Sequence, residues 1–217
     1  VVGAEAPELA SPKHAAYRLR PLPRVLPPAE PLSQPDRLAR VRFTFAKTGD
    51  ARFLSHRNVM DLIERALRAA AVPVRYTEGY NPHIRVSMGP ALALGHEALA
   101  DAFDVECHGE VDAAMLERAN RVLPEGLRLT GWTRLPEGSP SLGKAVAASR
   151  FRIRRLPDVP PWPPRPELPG VLDWVVDGDD LVVTVNARQV DGPTPGPREL
   201  LTVAGVPEER LRLVPVV

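Results

Sequence analysis

A single cysteine, Cys107, stands in the whole 217-residue chain. That scarcity excludes an internal disulfide and any cysteine-built metal or iron–sulfur cluster made by this chain alone. Cys107 lies in the apolar alternation FDVEC, where a small buried thiol is the expectation. No HxxxH, HExxH or CxxC spacing occurs, and His96 and His108 each lack a second ligand at a metal-binding interval, so no metal is expected. Gly-rich phosphate loops of the GxxxxGKS or GxGxxG kind are missing, as is any motif that reads DNA sequence. No run of about 18 apolar residues offers a membrane span. The opening stretch VVGAEAPELASPKH lacks the charged and apolar regions of a secretory signal. A cytoplasmic location and no cofactor of its own are therefore the expectations. The chain does not begin with Met, which leaves open a partial or trimmed product.

Charge is abundant but segregated. The net value of +1 hides eight Lys/Arg against four Asp/Glu over 41–90 and three against eight over 91–132. Residues 133–156 swing back to six against one, and 157–217 carry five against ten. A chain patterned this way can fold with one basic and one acidic face, and a basic face steers a polyanion even when total charge is near zero. A mixed, solvated surface is the plainer alternative.

Prolines punctuate the chain: eight of the 26 fall in 1–38 and seven in 157–169. Proline fixes φ and removes a backbone donor, so neither stretch suits a helix or a central strand. Residues 1–38 read as a Pro-rich leader or linker, 39–136 as the main domain, and 145–217 as a smaller α+β subdomain containing the polyproline-like connection 157–169.

Within 39–136, ARVRFTFAK alternates as a half-buried strand ending near Lys47. Ser55 suits the N-cap of a helix reaching about Ala71 before Pro73, with Val59, Leu62, Ile63, Ala66 and Ala70 on one face. Strands are expected at about 74–77, 84–88 and 99–107, a second helix at about 112–121, and a last strand in LRLTGWTRL. The order β-α-β-β-α-β suits an α+β fold, a ferredoxin-like sandwich with both helices on one face of an antiparallel sheet. In the remainder, strands are expected in SRFRIRRL, at 181–185 and at 211–216, with a short helix at 197–204. This could form a smaller, reduced ferredoxin-like half whose first helix the proline segment replaces.

Two loops flanking the first helix are the richest in chemistry. LSHRN places Ser55, His56 and Arg57 at a helix start, where unpaired N–H groups favour an anion. YTEGYNPH supplies Tyr80, Asn81 and His83, followed by Arg85. If these loops converge with Lys47 and the helical Arg65 and Arg68, the set can bind phosphate and stack a base. Asp101, on the expected third strand, could pair with a loop Arg or His. The competing reading leaves Ser55 as a cap alone, His56 solvated and Tyr80-Asn81-Pro82 a turn.

These residues resemble the radical-SAM-linked protein family, a domain of unknown function encoded beside, or fused behind, a radical SAM protein. The resemblance rests on Ser55-His56, the looser Ala70-Ala71-Val72-Pro73, Tyr76, Gly79, Asn81-Pro82-His83, Leu94-Gly95 and Leu123-Pro124-Glu125-Gly126-Leu127. It covers about Arg40 to Trp132. Arg57-Asn58 stands where the family pattern has Leu-Asp, Ile84 replaces a Pro, Ala98 a Ser, and Asp101 a Glu. The resemblance implies a radical SAM partner that would own any iron–sulfur cluster and S-adenosylmethionine. It also implies RNA as the presented substrate, from the family's usual gene neighbours.

The leading expectation is thus a non-catalytic RNA-binding or substrate-presenting accessory module for a radical SAM partner in tRNA or rRNA modification or processing. Two alternatives stand beside it. One is a metal-independent endoribonuclease using His56 and His83 as acid and base. The other is a scaffold that binds only protein, its prolines serving as docking segments.

Overall fold

A computed structural model describes residues 38–210, apart from Gly79, Asn81, Pro90 and 188–191. The expected leader 1–38, save its last residue, and the expected strand 211–216 therefore lie outside the described residues. The architecture is α+β, with two antiparallel sheets and few helices.

Strand β1 (Ala39–Lys47) carries Val41, Phe43, Phe45 and Lys47 on its inward face. It pairs antiparallel with β3 (Ala98–Cys107) on one side and β4 (Leu127–Arg134) on the other, and β2 (Val86–Met88) flanks β3. The sheet order is β2-β3-β1-β4. Phe103 comes from β3 to stack on Phe43, with ring centroids 5.2 Å apart and planes 8° from parallel, and it tilts against Phe45 at 6.0 Å.

Helix α1 (His56–Ala69) buries Val59, Ile63, Ala66 and Leu67 into this core, as the three-and-four spacing requires. Ser55 caps it by accepting the Asn58 N–H at 3.2 Å. The helix ends on Ala71, a non-glycine residue at φ +54°, before Pro73 turns the chain away. Helix α2 (Ala113–Val122) starts on Asp112, whose side chain accepts the Met115 N–H. Asn120 exchanges two hydrogen bonds with the Leu129 backbone, and Arg118 donates to the Ala70 carbonyl, so α2 is tied to both β4 and α1. On the opposite face of the sheet Arg42 holds Asp104 with two contacts at 2.7 and 2.9 Å, and this pairing raises the guanidinium pKa.

A short helix, α3 (Leu142–Ala145), leads to the second sheet: β5 (Ala148–Arg154), β6 (Val171–Asp177) and β7 (Asp180–Asn186), in the order β5-β7-β6. Ile153, Trp174, Leu181, Val183 and residues of α4 (Pro197–Val203) form a separate buried cluster.

Three sequence expectations change. Residues 74–77 make only isolated bridges, Val74 to Cys107 and Tyr76 to Ile84, because this segment runs past the end of β3. β6 forms where the sequence pattern predicts no strand: Asp173, Asp177 and the exposed Leu172, Val175 and Val176 blur its alternation. The proline segment has no helix or strand, as expected, yet it packs instead of merely connecting. Val159 and Trp162 are buried, and Trp162 donates its indole N–H to the Asp179 carbonyl. Among the described residues no helix is long and apolar enough to cross a membrane.

Candidate functional site

The expected single pocket resolves into two neighbouring places, joined by α1. The first is recessed. Lys47 ends the inward face of β1, where the pattern of Val41, Phe43 and Phe45 calls for an apolar side chain, and it is only 3% exposed. Asp101 likewise occupies the inward face of β3, directly opposite Phe45. A register shift between Phe45 and Lys47 adds one residue to β3 here and re-aims the strand end. Among the described residues the Lys47 ammonium has just two long hydrogen bonds, 3.4 Å each, to the Arg52 and Leu54 carbonyls.

Two imidazoles complete the group. His56, half-buried at the start of α1, and Lys47 both act electrostatically on Asp101. His96 arrives on the loop after β2, which crosses the short 3-10 turn Gly49–Phe53 through the Gly95 N–H to Arg52 carbonyl bond. Its Nδ1 is buried with no hydrogen-bond partner among the described residues. Burial lowers the Lys47 pKa, with Asp101 opposing it. Burial also lowers that of His96, with Lys47 adding repulsion. Burial raises the Asp101 pKa; the Ala102 N–H and the charges of His56 and Lys47 pull the other way. Lys47, His96 and Asp101 are thus each shifted toward the uncharged form, an arrangement suited to passing or sharing a proton.

The second place faces solvent. His56, Met60, Glu64 and Arg68 recur every four residues, so they form a row about 18 Å long on α1. At its far end Arg68 contacts Glu64 at 3.1 Å and lies over the Tyr76 ring, 5.4 Å from the centroid. His83 Nδ1 sits 3.7 Å from the same Glu64. Tyr80 is fully exposed, while Arg57, Arg65 and Arg85 are exposed with no charged or hydrogen-bonding partner among the described residues. Asn81 lies outside the described residues. His56 and His83 take different carboxylate neighbours: His56 acts on Asp101 of β3, and His83 lies near Glu64, eight residues along α1 from His56.

Residues 40–178, well over half of the chain, match the family described as "Uncharacterized protein conserved in bacteria (DUF2344)". The chain is a DUF2344 protein. The match takes in the whole recessed group and the solvent-facing row, and it continues through β5 and β6. No curated protein matches this DUF2344 chain. Among its described residues no three His, Cys, Asp or Glu side chains are grouped to hold a metal ion.

The sequence points to Lys47, His56 and Asp101, whereas His96, without a metal-ligand spacing, carries no such signal. A different signal points to His96: it follows Gly95, whose φ of +88° turns the loop back onto the 49–53 turn. Cys107 is inert by comparison, fully buried with its thiol pKa pushed up to about 12 by desolvation.

The recessed group carries a pH signature. His96 is less basic in the fold than in the unfolded chain, whose imidazole titrates near about 6.5. Protonation therefore favours unfolding, and stability drains as pH falls below that value until the folded imidazole has also charged. Between about pH 7 and pH 5 the wild-type Tm is expected to fall further than that of His96→Gln. Parallel melting curves across that interval would contradict the assignment.

Proposed function

We propose that this chain is an RNA-binding, substrate-presenting accessory module, not itself catalytic, that serves a radical SAM partner in the cytoplasm. The observation that carries the RNA reading is the solvent-facing row. A tyrosine ring left wholly in water gains nothing from folding, yet Tyr80 is fully exposed, in a chain segment that also carries Tyr76, over which Arg68 lies, and Arg57, Arg65 and Arg85 are exposed with no charged or hydrogen-bonding partner among the described residues. Exposed rings among cations are what a single strand uses, its bases stacking on the aromatic faces while its phosphates meet the guanidinium groups.

A ferredoxin-like arrangement supports this reading. The order β2-β3-β1-β4, with α1 and α2 sharing the inward core, is the one expected of a β-α-β-β-α-β sandwich. The order β5-β7-β6 suits a reduced copy in which 157–169 replaces the first helix. The radical SAM partner rests on the resemblance of Ser55-His56, Asn81-Pro82-His83 and Leu123–Leu127 to the radical-SAM-linked pattern. The iron–sulfur cluster and S-adenosylmethionine belong to that partner.

The test is recovery of the tagged chain from its host at low salt, with bound protein and bound nucleic acid analysed together. Co-recovery of a radical SAM protein and a defined RNA is the expected result. Recovery of stoichiometric protein with no RNA would replace this reading with the protein-only scaffold.

A further inference from the structure

We propose that the cleft between β3 and β5 takes one nucleotide of the bound strand, its base directed at Asp101 and its phosphate at Arg150. This rests on the RNA reading above and adds a pocket that the solvent-facing row does not contain.

The cleft encloses about 680 Å³, within the range of small-molecule sites. One wall is the part of β3 that runs beyond the end of β2, from Ala98 to Ala102; the other is the outer side of β5. Leu92, Val146, Phe151 and Val182 make the lining largely apolar, and Phe151 offers a half-buried ring. A base needs such a surface on its faces and a polar partner on its edge.

Asp101 provides the edge partner. One of its oxygens accepts the Ala102 N–H at 2.7 Å, and the other makes no hydrogen bond among the described residues. Gly89 lies against Asp101: a Cβ there would stand 3.3 Å from Oδ1, the oxygen that takes the Ala102 N–H, so glycine keeps this end of the cleft clear. The second Asp101 oxygen can accept from an N–H on a base edge.

Arg150 provides the anion partner. The arginines of β5 are not equivalent. Arg152 is held by Asp177 and Asp180, Arg154 also by Asp180, and the adjoining Arg155 by Asp179. Arg150 lines the cleft, is exposed, and has no carboxylate among the described residues. A guanidinium left unpaired among neighbours that are all paired is free to take a phosphate.

The experiment titrates the full chain with AMP, GMP, CMP and UMP by calorimetry, and in parallel with a single-stranded RNA oligonucleotide. At least one nucleotide is expected to saturate. Arg150→Glu, which removes the phosphate contact, and Ala100→Trp, which fills the cleft from an exposed position, should each weaken it by about tenfold or more. If no nucleotide saturates, or if both variants bind as the wild type does, the cleft proposal is overturned. An oligonucleotide that binds while no nucleotide does removes the cleft alone. A nucleotide that binds while the oligonucleotide does not keeps the cleft and removes the strand-binding reading.

Discussion

Replacing Gly126 by alanine is expected to destabilise the protein by about 2–5 kcal/mol, enough to lower its Tm by many degrees. Gly126 enters β4 at φ +81°, where an L side chain is strained. Crowding adds to the strain. A methyl group there would overlap the Thr48 carbonyl oxygen and reach 3.1 Å from the Ala51 side chain. Neither neighbour can retreat cheaply, since Thr48 donates its N–H to the Gly126 carbonyl at 2.7 Å and Ala51 is fully buried. Gly138→Ala is the control. Its φ is +78°, but nothing lies within 4 Å of the added carbon, so only the backbone strain of about 1 kcal/mol should appear. Denaturant titration of both variants separates the two contributions. Equal losses would mean that the Thr48–Gly126 contact contributes nothing.

Reversing Arg65 and Arg68 to glutamate should weaken RNA binding by well over tenfold at low salt. It should also flatten the salt dependence by about 1.4 in log–log slope, from two lost phosphate contacts on a single strand. Both residues are exposed on α1, and among the described residues the Arg68 side chain contacts Glu64 and Tyr76 alone, so the fold should survive the change. A like charge beside Glu64 costs a few tenths of a kcal/mol on a helix surface. Fluorescence anisotropy with a labelled single strand over a salt series provides the measurement. An unchanged slope would sink the solvent-facing row as the binding surface, whatever the absolute affinity.

Periodic burial made much of the fold legible. Val41, Phe43 and Phe45 on a two-residue period, and Val59, Ile63 and Ala66 on a helical one, signal β1 and α1 directly because each presents a single apolar face. β6 gave no such signal, since it lies at a sheet edge with apolar side chains in water. Residues 74–77 looked like a strand because β-branched and aromatic residues mark one. What the sequence does not show is where the neighbouring strand ends.

The candidate site divides along the same line. Lys47 and Asp101 stand out as charges in otherwise apolar alternations, a local signal. His96 joins them only because a loop some fifty residues along the chain from Lys47 folds across the 49–53 turn, and no spacing rule encodes that. His56 and His83, close enough in sequence to suggest one pocket, lie near carboxylates of different elements, Asp101 of β3 and Glu64 of α1.

The order of strands in the smaller sheet bears on where this family should be divided for study. The matched region stops at residue 178, in the turn between β6 and β7. β7 is the middle strand, and its Leu181, Val183 and Val185 are fully buried. A chain cut at that boundary would keep two outer strands with no strand between them and would bare the lining of their shared interior. The limit of sequence similarity is not a limit of folding here: the smallest piece that keeps the second core closed must run on through α4 to Val206.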